Sequence, residues 1–361
     1  MKIVHVETGR HLYGGGQQVL WLIDGLNQSG IHNVLVCASD SALAEAADDA
    51  GIEVVNLCCR GDLDFGFVSR LRAVLRDQQP DLVHCHSRRG ADFFGGRAAR
   101  ANGIPAVLSR RVDNREPGWL ARLRYRPYRK IVAISETIAE VLRATGVQHS
   151  RLTVIRSAVA ANDFDEPPDR VAFRQAFALQ AGDPVLFCVA QFIERKGHRF
   201  LLEAMGELLP RYPRLRLILF GRGPLEAELR SLAADAGLDH AVQFAGFRED
   251  LDDYLSCADL LVHPALAEGL GVAALKAAAA GVPVVAFAAG GLREAVVHDE
   301  TGLLLPPGDV AALAAGIAAL LDDSERRRQL GQNGRARMHK EFSIETMVAS
   351  HIDLYRSILD D

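Results

Sequence analysis

The run Glu268-Gly269-Leu270-Gly271-Val272-Ala273-Ala274-Leu275-Lys276-Ala277-Ala278-Ala279-Ala280-Gly281-Val282-Pro283-Val284-Val285 decides how the chain reads. A carboxylate precedes two glycines, an Ala-rich segment of strong helix propensity follows, and Gly281 and Pro283 hand over to a β-branched strand. The order is loop, helix, turn, strand. A helix starting near Gly271 would aim unpaired N–H groups and the positive end of its dipole at whatever lies beside Glu268, which suits an anion. The same glycines also suit an ordinary βαβ crossover, and the remaining strand ends have to separate the two readings.

Working outward, the same alternation recurs on both sides of a break. Strand-like runs at 2–8, 33–38, 53–56, 81–85, 106–109, 131–134 and 152–155 are separated by amphipathic segments such as 19–27, 67–77 and 136–145. The polar, proline-bearing stretch 160–169 has no period of 2 or 3.6 and reads as a linker. Strand-like runs resume at 185–190, 215–220, 242–245, 260–263, 284–287 and 303–305, with helical patterns at 199–208, 225–236, 271–280 and 310–321. Charged amphipathic helices at 324–340 and 344–359 follow. Alternation of this kind predicts parallel sheets covered by helices on both faces. The expected fold is α/β, with two Rossmann-like doubly wound domains facing a cleft: residues 1–165, residues 166–342, and a helix in 343–361 packing back on the first domain.

A length of 361 residues suits two domains, and 49% hydrophobic with 24% charged residues suits a soluble globular chain. The net charge of −5 argues against bulk nucleic-acid binding. Cys37, Cys58, Cys59, Cys85, Cys188 and Cys257 show neither CxxC nor Cys/His metal spacing, so they read as reduced thiols of a cytoplasmic protein and no metal site is expected. No secretory leader is apparent, and no run reaches the roughly 18–20 apolar residues of a membrane span.

In open α/β sheets ligands gather at the carboxyl ends of strands, and the informative residues cluster there. Gly14-Gly15-Gly16 after the first strand would let backbone approach a phosphate, or would serve as a plain flexible loop; the spacing is not that of a dinucleotide fingerprint. His86 ends the fourth strand, where it would donate to a sugar hydroxyl or be merely structural, and His84 would turn into the fold. The segment 110–130 concentrates Arg110, Arg111, Arg115, Arg122 and Arg124 with Trp119, Tyr125 and Tyr128. It suits an anionic membrane surface, a phosphorylated acceptor, or a solvated basic face. In the second half, Arg195 and Lys196 precede a helix and would meet a diphosphate with two cations. Gly221 and Gly223 end the next strand, and Phe247 offers a ring against which a base could stack.

With these residues in hand, the chain resembles the family 4 retaining glycosyltransferases of the two-Rossmann-domain GT-B architecture. The similarity runs from Gly14-Gly15 through Val154-Ile155, Arg195-Lys196-Gly197, Gly221-x-Gly223-Pro224 and Glu268-Gly269-x-Gly271 to Ala289-Gly290-Gly291-x-x-Glu294 and Thr301-Gly302-Leu303. The resemblance implies metal-independent, retaining transfer of a sugar from a nucleotide donor, with UDP-sugar as the expected donor and no cofactor. It implies Arg195 or Lys196 on the donor diphosphate, Gly15 nearby, His86 beside the transferred sugar, and Glu268 on that sugar's hydroxyls with Leu270, Gly271 and Val272 adjacent. The implied partners are a nucleotide sugar, a lipid-linked or lipopolysaccharide-core acceptor and an anionic membrane surface, at the inner face of the cytoplasmic membrane. Two other readings stand beside it: a noncatalytic partner or sensor of the same fold, and a sugar-nucleotide epimerase.

Three departures qualify the carry-over. The family's second glutamate, eight residues after the first, is Lys276, which cannot accept ribose hydroxyls and leaves the nucleotide open. The arginine usual five residues before the lysine is Gln191. The usual Asn-Gly-Val-Asp turn reads Ser157-Ala158-Val159-Ala160.

Overall fold

The structure is a computed structural model that describes residues 1–360 except 11, 13, 40, 62 and 87–89. It divides into two units, residues 1–158 with 344–361 and residues 159–343. The division falls at Ala158, ahead of the border expected at 165. Phe164, inside the expected linker, is buried in the second unit.

The first unit carries strands β1 (Lys2–Glu7), β2 (His32–Cys37), β3 (Glu53–Asn56), β4 (Leu82–Cys85), β5 (Ala106–Arg110), β6 (Lys130–Ala133) and β7 (Leu152–Val154). They form one sheet in the order β3-β2-β1-β4-β5-β6-β7, every pairing parallel. The apolar side chains of β1, β2 and β4 are buried, as a sheet covered on both faces requires. The helix Ile344–Leu359 returns to this unit, where Met347, Val348, Leu354, Tyr355 and Ile358 share a core with Leu22 and Leu26 of the helix Gly14–Gln28.

The second unit carries β8 (Val185–Val189), β9 (Arg216–Phe220), β10 (Val242–Gly246), β11 (Leu260–His263), β12 (Val284–Phe287) and β13 (Gly302–Leu305), ordered β10-β9-β8-β11-β12-β13. All pairings are again parallel, with one register shift between Phe244 and Gly246. In both sheets the order reverses direction at the first strand of the unit, the topological switch at which α/β folds place ligands.

Inside the first unit the parallel register sets His5 opposite His84. These two, His86 and His351 are all at most 3% exposed. Burial disfavours the imidazolium form, so His5 and His351 are lowered from 6.5 to about 4, and His84 and His86 are pushed well below 6.5. Because each folded-state value lies below the unfolded one, the unfolded chain binds the extra protons. The stabilising contribution is whole above about 6.5 and is lost as pH falls towards about 4, at up to about 1.4 kcal/mol per pH unit for each ring. Both tryptophans, Trp21 and Trp119, lie in this unit. Urea unfolding followed by tryptophan fluorescence is therefore expected to show a midpoint that drops between pH 7 and pH 5, and an unchanged midpoint would contradict the buried neutral cluster.

Candidate active site at the strand ends

After β8 the chain makes a tight turn, Glu194–Lys196, and Gly197 enters the helix His198–Leu208 with φ 70°. A side chain at Gly197 would collide with the Pro264 carbonyl after β11, so this turn can only pack against that loop with glycine here. The Leu266 N–H donates to the Arg195 carbonyl at 2.8 Å, tying the two loops together.

That packing brings Lys196 to Glu268. The Lys196 ammonium donates to Glu268 Oε2, His263 Nε2 lies 3.0 Å from the same oxygen, and the Gly269 N–H donates to Oε1 at 3.1 Å. A carboxylate only accepts, so Nε2 of His263 carries the hydrogen. Burial alone would push the Glu268 carboxyl up, but the His263 bond and the Lys196 charge outweigh it and hold the group near 2. Glu268 is thus a fixed negative charge at neutral pH, although its side chain is only 13% exposed.

The loop that carries it is held by backbone. After β12, the Gly291 N–H donates to the Glu268 carbonyl at 2.9 Å. A side chain at Gly290, where φ is 51°, would run into that carbonyl, and one at Gly291 into the carbonyl of Gly269. Gly271, at φ 89°, then starts the helix Val272–Ala279. The result is an anchored carboxylate beside a helix N-terminus and two cationic residues, Arg195 and Lys196, at the carboxyl end of a parallel sheet. Backbone N–H groups at a helix N-terminus favour an anion.

Comparison with known proteins gives the family. Residues 169–337 match the model for glycosyl transferases group 1, and residues 13–162 match that for glycosyltransferase family 4. A lipopolysaccharide core biosynthesis mannosyltransferase of Rhizobium meliloti is 31% identical over 70% of this chain and 72% of its own. A GDP-mannose-dependent monoacylated α-(1-6)-phosphatidylinositol monomannoside mannosyltransferase of Corynebacterium glutamicum is 36% identical over 76% of each. The chain belongs to the family 4, group 1 glycosyltransferases. Among solved structures, a Rickettsia africae glycosyltransferase superposes with TM-score 0.90 at 18% identity over 100% of this chain and 99% of its own. Anabaena HepE in complex with UDP gives 0.88 at 21% over 99% and 100%. Both units therefore have the fold of GT-B glycosyltransferases.

Within this glycosyltransferase the other sequence-derived residues are distributed unevenly. Gly221 (φ 139°) and Gly223 are required by the fold itself, since side chains there would strike the Ala190 and Phe192 carbonyls. Phe247 is 55% exposed, with the Arg222 guanidinium 5.1 Å from its ring centre. The Leu270 side chain is buried, which leaves only its backbone for a ligand. Lys276 donates to Asp252 Oδ2 at 2.5 Å, on the helix Leu251–Leu255. The Asp163 carboxyl is raised by burial first and by Asp252 next, while Lys276 works against the rise. The position of the family's second glutamate is thus a cation set among carboxylates.

In the first unit, Gly14, Gly15 and Gly16 form the opening turn of the helix Gly14–Gln28 rather than a loop before it. His86 lies at the end of β4 as expected, but inside the fold at 2% exposure. The basic segment divides. Arg115, Trp119 and Arg122 are exposed, whereas Arg110 and Arg124, expected on a docking face, are interior. Arg124 donates to Asp92 at 2.5 Å and to Glu116 at 3.2 Å, and Arg110 lies 3.5 Å from Glu116. Tyr125 and Tyr128 are buried with them, and Arg111 is half-buried, 3.3 Å from Ser157. Charge count along the sequence could not pick out the cations whose acidic partners lie 6 to 32 residues away.

Sequence reasoning missed His263 and His198. His263 is the second donor to Glu268. His198 is 2% exposed, lies edge-on to Phe192, has no hydrogen-bond partner on either ring nitrogen among the described residues, and is lowered to about 4, chiefly by burial. The signal available was its place directly after Gly197. Because Gly291 has φ −66°, alanine there meets no φ strain, but its methyl group would strike the Gly269 carbonyl and the Leu270 Cα. Gly291→Ala is expected to destabilise the second unit by about 1–3 kcal/mol and to displace the Glu268 loop. Calorimetry together with nucleotide-induced thermal shift would check both effects.

Proposed function

We propose that this glycosyltransferase moves a sugar from a nucleoside diphosphate donor to a hydroxyl of a lipid-linked or lipopolysaccharide-core acceptor, with retention and without a metal. The observation that carries the reading is the charged Glu268, fixed by Lys196, His263 and the Gly269 N–H. Glu268 accepts from the hydroxyls of the transferred sugar, and its charge steadies the oxocarbenium-like centre that forms as the glycosidic bond breaks. An ammonium has three N–H donors, of which Glu268 takes one; Lys196 keeps two for a diphosphate oxygen, and Arg195 adds a second cation. These contacts strengthen as the leaving diphosphate gains charge, which lowers the barrier.

Gly271 and Val272 offer backbone N–H groups to the donor, Leu270 its backbone alone, and Phe247 a stacking surface for the base. Within the first unit, His86 is assigned to the transferred sugar and Gly14, Gly15 and Gly16 to the donor by the family resemblance. Several relatives at 32–36% identity are named as GDP-mannose-dependent, which supports GDP-mannose beside UDP-sugars as donor. Arg115, Trp119 and Arg122 are exposed basic and aromatic residues suited to an anionic lipid surface, which supports a peripheral position on the inner face of the cytoplasmic membrane.

Purified protein is to be incubated with GDP-mannose and a set of UDP-sugars in the presence of lipid-linked acceptors and EDTA. Transfer with unchanged anomeric configuration is expected, and neither transfer nor donor hydrolysis would defeat the reading. Glu268→Gln is expected to lower kcat by about a hundredfold or more without changing the fold. Lys196→Ala is expected to weaken donor and free nucleoside diphosphate alike, as read by titration calorimetry. Full activity of Glu268→Gln would remove the central assignment.

A further inference from the structure

The buried histidines of the first unit have assignable tautomers. The Asn33 amide nitrogen donates to Asn27 Oδ1 at 2.8 Å and to the Ile31 carbonyl at 2.7 Å. Its oxygen is then the atom that faces His5 Nε2, at 3.0 Å. A carbonyl oxygen only accepts, so His5 Nε2 carries the hydrogen and, in a neutral ring, His5 Nδ1 is a lone pair. His86 Nε2 lies 2.9 Å from that lone pair and must donate to it. His86 Nδ1 is therefore the unprotonated nitrogen, and it is buried with no partner among the described residues. Buried acceptors are ordinarily satisfied, so this lone pair, at the carboxyl end of β4, is open to a group from outside the chain.

We propose that His5 and Asn33 are positioning residues that lock His86 in the Nε2–H tautomer, so that Nδ1 accepts a hydrogen bond from a substrate hydroxyl. The chain Asn33–His5–His86 runs across three neighbouring strands, β2, β1 and the end of β4, so the sheet itself fixes the direction of every hydrogen. Its surroundings keep the ring neutral: burial acts first, and His5, Arg111 and His351 oppose a positive charge on it, while His84 lies tilted with its ring centre 3.9 Å away. His86 thus acts as an acceptor, reversing the donor role expected from sequence. The inference rests on the assignment of His86 to the sugar site made above.

The same rings meet the spacing of a metal site, with one ligand atom each from His5, His84 and His86 within 4.8 Å. Both His5 nitrogens are already engaged, however, and Arg111 places a cation beside them, which favours the relay.

The test uses the full chain labelled with 15N-histidine. Two-bond 1H–15N correlation spectra, with His86 assigned by its disappearance in His86→Ala, are expected to show Nε2 protonated and Nδ1 bare. In His5→Leu the His86 signals are expected to shift towards the Nδ1–H form and kcat to fall about tenfold. In His5→Gln, where an amide oxygen can take the Nε2 hydrogen, the tautomer and most of the activity return. An Nδ1–H form in the unaltered protein, no change of tautomer and kcat in His5→Leu, or one equivalent of tightly bound zinc by elemental analysis would each overturn the proposal. Should His5→Leu not fold, the unaltered protein and His5→Gln still decide. Full activity of His86→Ala would instead remove His86 from the sugar site, a separate failure that leaves the tautomer measurement standing.

Discussion

A carboxylate held inside a protein keeps its charge only if its surroundings replace the water it has lost, and Glu268 is where the second unit meets that demand. Lys196 supplies a cation, His263 a ring N–H and Gly269 a backbone N–H. Each donor comes from a different stretch of chain, after β8, at the end of β11 and within the loop itself. Their convergence depends on Gly197, Gly290 and Gly291 letting backbone lie against backbone where a single methyl group would separate the loops. The glycines that first read as permission for a ligand to approach also serve to let the loops approach one another.

The first unit handles ionisable groups in the opposite way. Its four buried histidines have no carboxylate hydrogen-bonded to them among the described residues, and burial keeps them neutral. Neutrality makes their hydrogen bonds directional, since each ring then has one donor and one acceptor. One unit thus holds a fixed charge and the other a set of oriented, neutral rings.

Strand periodicity and helix patterns carried the fold: all thirteen strands lie where alternation put them, within a residue or two at their ends. The site was legible where chemistry and turn geometry coincide, as at Glu268 and Lys196. It was illegible where a side chain's meaning depends on a distant partner. His263 precedes a proline in an apolar strand and gives no local sign that it faces a carboxylate. Arg124 and Arg122 differ by two positions on one helix, yet one is locked to Asp92 and Glu116 in the interior and the other is exposed. Lys276 was conspicuous as a substitution, but its partner Asp252 sits 24 residues earlier on another helix.

The return of the helix Ile344–Leu359 to the first unit bears on how the protein is made. Its Tyr355 hydroxyl lies 2.6 Å from His84 Nδ1, and its apolar face closes a core begun by the helix Gly14–Gln28. A ribosome delivers residues 1–158 first, then the whole second unit, and only afterwards the segment that completes the first. During synthesis the amino-terminal sheet must wait with Leu22, Leu26 and the interior imidazoles exposed, while the later-made unit already has every strand it needs. The first unit is therefore the last to receive all its parts, and its early sheet exposes apolar surface of the kind that makes incompletely folded chains prone to aggregate.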